Sequence, residues 1–185
     1  MMSTIVGVCG SLRSGSFNMM LLRALAAAAP AGTTIEIASI REVPLYDGDV
    51  EGRDGIPAPV QQLKDSIANA AGLLIVTPEY NNSMPGVLKN AIDWATRPPA
   101  DIPRVFTGRP VAIAGATPGQ GGTILSQAAW LPVVRTLGML PYFEARLMIS
   151  GAGKIFDASG AIVDDKTRER VRSFVEGFAR FVAAH

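Results

Sequence analysis

Two residue types that carry much of enzyme chemistry are nearly missing. The 185-residue chain holds one cysteine, Cys9, and one histidine, His185. A single cysteine excludes an internal disulfide framework and a cysteine-rich metal site. Its place in an apolar run makes it a buried structural thiol rather than a nucleophile. A histidine at the last position is expected to fray and to have no catalytic use. That removes histidine triads and multi-histidine sites, and no metal is expected. Charge of one sign is lacking too: 17 basic residues stand against 16 acidic ones, a net charge of +1. With no basic stripe, nucleic acid is not expected as a partner. Nor is there an apolar run of about 18 residues, because Arg23 interrupts the best candidate. The first residues lack a basic segment followed by a long apolar one. The chain therefore reads as soluble and cytoplasmic, without a membrane partner.

What is present describes a packed globular chain: 48% hydrophobic and 18% charged residues. Residues 1–185 are expected to form a single domain, burying about 70% of the unfolded surface. Short apolar runs at residues 4–9, 73–76 and 111–116 read as strands buried on both faces. Residues 34–38 alternate, which suits an edge strand, and residues 142–149 read as a fifth strand. Helical spacing covers residues 17–29, 57–71, 85–97, 123–137 and 164–183. Pro132 predicts a kink or break near Ala129. Residues 43–55 read as a loop. In the last helix Val171, Phe174, Val175, Phe178, Phe181 and Val182 form a core stripe, and Asp164 and Asp165 suit its positive end. Strands and helices alternate throughout. The fold class is thus α/β: a flavodoxin-like, doubly wound, five-stranded parallel sheet of order 2-1-3-4-5, with helices on both faces.

In that order a ligand binds outside the carboxyl ends of strands 1, 3 and 4. The three loops there, residues 10–18, 78–84 and 117–122, are also the richest in Gly, Ser, Asn and Pro. The first, Gly10-Ser11-Leu12-Arg13-Ser14-Gly15-Ser16-Phe17-Asn18, offers three hydroxyls, a guanidinium and a carboxamide before a helix N-terminus. It reads as a cradle for a phosphate monoester. It matches neither the P-loop nor GxGxxG, and an ordinary βα turn with a serine cap would carry the same residues. The second loop suits the edge of a flat, polar-rimmed heterocycle, or equally a capping loop with Ser83 near the helix start. In the third, Gly119, Gly121 and Gly122 let amides approach a ligand. A phosphate cradle and two ring-bordering loops describe flavin mononucleotide (FMN).

The motifs Gly10-Ser11-Leu12-Arg13-x-x-Ser16-x-Asn18 and Pro78-Glu79-Tyr80-Asn81-x-Ser83-x-Pro85-Gly86-x-Leu88-Lys89-Asn90-Ala91-Ile92-Asp93-Trp94 resemble the signatures of the NADPH-dependent FMN reductase family. Bacterial NAD(P)H quinone and chromate reductases are its most similar-looking members. The resemblance is strong over residues 5–122 and rests on element order beyond them. It implies that Ser11, Leu12, Arg13, Ser16, Phe17 and Asn18 hold the phosphate and ribityl end of FMN. It further implies that Pro78, Glu79, Tyr80, Asn81 and Asn82 border the isoalloxazine, and that Thr117, Pro118, Gly119 and Gly121 close its pyrimidine side.

The activity implied is a two-electron, ping-pong oxidoreductase. NAD(P)H gives hydride to flavin N5, and a quinone, or an azo compound, chromate or free flavin, takes the electrons. No side chain is then required as a catalytic acid or base. Loop amides at residues 117–121 would stabilise negative charge on the reduced ring. The resemblance implies a homodimer or homotetramer, with Trp94 serving as core or inter-subunit packing. Arg97, Arg104 and Arg109 are candidates to meet a nucleotide 2′-phosphate, against plain surface solvation. A flavodoxin-like electron carrier is the alternative, which the near-neutral charge disfavours. A non-catalytic nucleotide-binding protein on the same fold is the third reading.

Overall fold

The computed structural model describes residues 2–185. The chain runs β1 (Ser3–Cys9), α1 (Phe17–Ala27), β2 (Thr33–Ala38), α2 (Gly48–Asp54), α3 (Ala58–Asn69), β3 (Gly72–Val76) and α4 (Gly86–Ala95). After a 3-10 turn (Pro99–Asp101) come α5 (Ile102–Val105), β4 (Pro110–Ala116), α6 (Ile124–Thr136), β5 (Leu140–Pro141), β6 (Leu147–Ile149), α7 (Ala152–Ile155) and α8 (Asp165–Ala184). The sheet is parallel, in the order β2-β1-β3-β4-β5, with β6 also pairing with β4. This is the flavodoxin-like arrangement expected from the alternation of apolar runs.

Strand alternation divides the core. Leu74, Val76, Ala112 and Ala114 face the layer of α1 and α8, against Leu21, Leu25, Phe174 and Phe178. Leu73, Ile75 and Val111 face the opposite layer, against Leu63, Ile67, Leu88, Ile92 and Trp130. The stripe expected on the last helix lies in the first of these clusters.

Three expectations are corrected. The fifth strand is not continuous: β5 pairs with the amino end of β4 at Pro110 and Val111, and β6 with its carboxyl end at residues 114–116. Pro141 has no amide to extend the ladder. Tyr142 turns its ring into the core against Phe174, Phe178 and Phe181, so residues 143–146 loop outward. Next, the segment read as loop 43–55 contains α2, whose first turn is capped where Asp47 Oδ1 accepts the Asp49 amide at 2.9 Å. Finally, α6 runs through Pro132 without a break. Trp130 and Val134 on either side are both buried, and that anchoring outweighs one lost helical hydrogen bond.

Trp94 lies wholly inside the chain's own core. Its indole donates to the Pro44 carbonyl at 2.9 Å and meets Tyr46 edge-on at 4.9 Å, while Asn90 donates to the same carbonyl and accepts the Tyr46 amide. The Asn90-to-Trp94 part of the family block thus straps the segment before α2 onto α4. The three arginines considered for a 2′-phosphate are also engaged: Arg97 with Glu51, Arg104 with Asp65, and Arg109 with the carbonyls of Val105, Ala70, Ala68 and Arg104. One buried cation had no counterpart in the sequence reading. Lys64 is fully enclosed and holds the Asp101 carboxylate at 2.6 Å and the Arg97 carbonyl at 2.5 Å. No helix among the described residues is long and apolar enough to cross a membrane.

Candidate functional site

The loops after β1, β3 and β4 meet at the carboxyl edge of the sheet around a cavity of about 390 Å³. That volume lies within the range of small-molecule sites, roughly 300–1,000 Å³. Ser11, Arg13, Ser16, Phe17 and Asn18 line it from the first loop, Pro78, Glu79 and Tyr80 from the second, and Thr117 and Pro118 from the third, with Ala116 at its base.

Close backbone approach makes this convergence possible. A side chain at Gly10 would meet Leu88 at 2.8 Å and the rings of Pro78 and Pro85 at 3.0 Å. One at Gly115 would collide with the Thr123 side chain and the Thr77 carbonyl. The bare positions let the first loop seat on the second and the third fold back over β4.

At the first loop Ser16 is the N-cap of α1, its hydroxyl accepting the Met19 amide at 3.3 Å. The amides of Phe17 and Asn18 have no acceptor among the described residues. The Ser11 hydroxyl, on a residue only 8% exposed, is open to the cavity and has no hydrogen-bond partner among the described residues either. Arg13 is exposed, makes no ion pair among the described residues, and lies over the Phe17 ring at 5.5 Å. Beneath the loop, burial pushes the Cys9 thiol up, with a weak contact to the Ser11 carbonyl at 3.7 Å. It is inert there.

Two residues assigned to ligand contact have their polar atoms committed within the protein. The Asn18 carboxamide donates to the Ala116 carbonyl at 2.8 Å and accepts the Ala116 amide at 2.9 Å. It ties the start of α1 to the end of β4. Glu79 Oε2 accepts the amides of Leu125 at 2.8 Å and Ser126 at 3.0 Å, capping α6. The cavity's one carboxylate is thereby set against a positive helix end.

Leu12, Asn81, Asn82, Gly119 and Gly121 do not line the cavity. Leu12 packs at the edge of the α3/α4 core, and its carbonyl accepts from Arg41 at 2.6 Å. Asn81 and Asn82, at φ of 51° and 62°, are the centre of a tight turn whose flanks, Tyr80 and Ser83, exchange both backbone hydrogen bonds at 3.0 Å. Asparagine tolerates this left-handed backbone better than most residues. Ser83 belongs to that turn and does not cap α4, whose N-cap is Pro85. Gly119 and Gly121 are exposed in the third loop, with the Gly119 amide 3.4 Å from Thr117 Oγ1.

The sequence reading missed a buried cluster behind the second loop. Thr77 Oγ1 donates to the Pro78 carbonyl at 2.9 Å, lies 2.9 Å from Ser126 Oγ, and accepts from Trp130 Nε1 at 3.3 Å. With Glu79, it joins the second loop to α6 at two levels. A hydroxyl at the end of a buried strand, directly before proline, was the available signal.

Fold and site together define a flavodoxin-like protein with an open three-loop cavity at its topological switch point. Residues 3–154 match the family described as NADPH-dependent FMN reductase. The chain is 42% identical over 178 residues to an NAD(P)H-dependent FMN reductase of Pseudomonas aeruginosa, covering 96% of this chain and 94% of that protein. It is 40% identical over 178 residues to a 2-hydroxy-1,4-benzoquinone reductase of a Burkholderia species, covering 96% and 95%. The solved structure of FerB, a flavoenzyme NAD(P)H:(acceptor) oxidoreductase of Paracoccus denitrificans, superposes with a TM-score of 0.89 at 33% identity, covering 99% and 98%. The chain belongs to the NADPH-dependent FMN reductase family, whose members are oxidoreductases that use FMN with NAD(P)H as electron donor.

The residues present fit that cofactor. A phosphate ester needs convergent donors without competing carboxylate charge. The open amides of Phe17 and Asn18, the Ser11 hydroxyl and the free Arg13 guanidinium supply the donors, and α6 absorbs the charge of Glu79.

Proposed function

We propose that the protein is an NAD(P)H:acceptor oxidoreductase that reduces quinones by a ping-pong, two-electron mechanism, with azo compounds, chromate and free flavin as further acceptors. Bound FMN would supply the redox chemistry, taking hydride from NAD(P)H in one half-reaction and giving two electrons to the acceptor in the next. Ser11, Arg13, Ser16 and the amides opening α1 would hold the phosphate and ribityl end. Pro78, Glu79 and Tyr80 would form the wall along one edge of the ring, and Glu79 would brace that wall through α6 without exchanging protons. Asn81 and Asn82 would serve by shaping the turn beside it, and Leu12 by seating the first loop. Amides around Thr117, Gly119 and Gly121 would face the pyrimidine edge and favour negative charge there.

The observation that carries this reading is the cluster of unsatisfied donors at one end of a three-loop cavity whose carboxylate is already capped. The Burkholderia relative, named as a benzoquinone reductase, supports a quinone as acceptor. We assign the protein to the cytoplasm as a homodimer or homotetramer. Steady-state kinetics with NADPH and a benzoquinone both varied should give parallel double-reciprocal lines. Intersecting lines would rule out two separate half-reactions.

A further inference from the structure

The second loop is anchored from behind, by side chains outside the cavity. Thr77, directly after β3, is wholly buried, and its hydroxyl donates to the carbonyl of the next residue, Pro78, at 2.9 Å. That spends the hydroxyl's one proton, so its oxygen accepts from Ser126 Oγ at 2.9 Å and from the Trp130 indole at 3.3 Å. Ser126 and Trp130 are themselves fully enclosed. The Thr77 backbone is fixed as well, its amide donating to the Ala114 carbonyl at 2.9 Å. A hydroxyl that gives one hydrogen bond and receives two has no capacity left for a ligand.

Proline makes the first of these bonds decisive for the residue that follows. The Pro78 ring fixes φ at about −65°, so ψ alone aims the peptide joining Pro78 to Glu79. Holding the Pro78 carbonyl on Thr77 sets that ψ. The peptide is trans, with its N–H opposite its carbonyl. The Glu79 amide therefore points away from the buried cluster, and it has no acceptor among the described residues. Pro78, Glu79 and Tyr80 all line the cavity. The Glu79 side chain is pinned separately, by the amides of Leu125 and Ser126.

We propose that Thr77 is a positioning residue, whose hydroxyl locks the Pro78–Glu79 peptide so that the Glu79 amide stands open as a hydrogen-bond donor to the edge of the flavin ring. The proposal rests on the FMN reading above and adds a residue that never touches the cofactor. It also gives Glu79 two separate roles: the carboxylate braces the loop against α6, and the amide meets the ring. An isoalloxazine carries carbonyl oxygens and unprotonated nitrogens in its plane, which such a donor can reach. A donor locked in advance avoids the ordering cost of a loose peptide.

The test is fluorescence titration of apoprotein with FMN, with urea unfolding beside it. Thr77→Val keeps the branched shape, removes the hydroxyl and should weaken FMN binding about fivefold to tenfold. Thr77→Ser restores the donor and should bind within about twofold of the wild type. Trp130→Phe takes a donor from the same oxygen but leaves the Thr77–Pro78 bond. It should lower the urea midpoint without weakening FMN binding. Equal weakening by Trp130→Phe and Thr77→Val would overturn the proposal, as would a folded Thr77→Val that binds FMN like the wild type. Amide hydrogen exchange on the wild type needs no variant: FMN should slow exchange at the Glu79 amide about tenfold or more. Unchanged exchange there would overturn the proposal with FMN bound. A wild type that binds no FMN would instead overturn the reading of the cavity itself.

Discussion

Asn18 and Ala116 are 98 positions apart and joined by two hydrogen bonds, the carboxamide of one donating to and accepting from the backbone of the other at 2.8 and 2.9 Å. This pair lies in the wall of the three-loop cavity. Neither group can be replaced by water without opening the junction of α1 and β4, because Asn18 is buried and Ala116 nearly fully so. Asn18→Ala leaves a buried amide and carbonyl unpaired and should cost about 2–4 kcal/mol of stability. Urea unfolding of the FMN-free protein checks this, and an unchanged midpoint would show that the pair is not structural.

Arg13 is the opposite case, being exposed with its guanidinium in no ion pair among the described residues. Arg13→Ala should leave the unfolding midpoint unchanged but weaken FMN binding by about 1.5–3 kcal/mol, the range for a charge-assisted hydrogen bond. Fluorescence titration of apoprotein with FMN measures it. An unaltered affinity would remove Arg13 from the cradle.

Glu79 should behave as a helix cap. Glu79→Ala should cost about 1 kcal/mol of stability through the lost bonds to Leu125 and Ser126. Glu79→Gln keeps an acceptor oxygen and should lose less. Equal losses for the two variants would mean that the carboxylate's charge, not its hydrogen bonding, is what α6 requires.

Stability against pH should form a plateau with falling edges. Hydrogen bonds from Arg97, from Lys64 and from the Thr167 side chain and amide hold Glu51, Asp101 and Asp164 below the usual carboxylate range. Folded values below unfolded ones mean that this stabilisation is complete above about pH 4–5 and is lost as pH falls through the folded values. Burial pushes Cys9 and Tyr142 up. Their contribution is complete below the unfolded values, about 8.5 and 10, and is lost as pH rises through the folded ones. Urea midpoints between pH 3 and 10 would trace both edges, and Cys9→Ala should flatten the onset of the alkaline one.

What the sequence made legible follows from the range of the interactions. Buried parallel strands announce themselves as uninterrupted apolar runs, so β1, β3 and β4, and with them the three loops, could be placed. The interrupted strand could not: residues 142–149 look strand-like, and only the packing of Tyr142 against α8 explains the bulge. Asn18 and Glu79 were recognised as polar residues of the right loops. Their partners lie 98, 46 and 47 positions away, and nothing local distinguishes a side chain awaiting a ligand from one already satisfied. Asn81-Asn82 was open to better reading, since adjacent asparagines suit a turn that needs two left-handed residues. The Lys64–Asp101 pair was invisible, because a lysine on an amphipathic helix reads as solvated.

The central claim is tested most directly by mixing FMN-loaded protein anaerobically with one equivalent of NADPH and no acceptor. The account predicts rapid loss of the oxidised flavin absorbance, followed by its full return when a benzoquinone is added after NADP+ has been removed. Flavin absorbance that persists in the presence of NADPH would contradict it and leave the protein as an FMN-binding electron carrier.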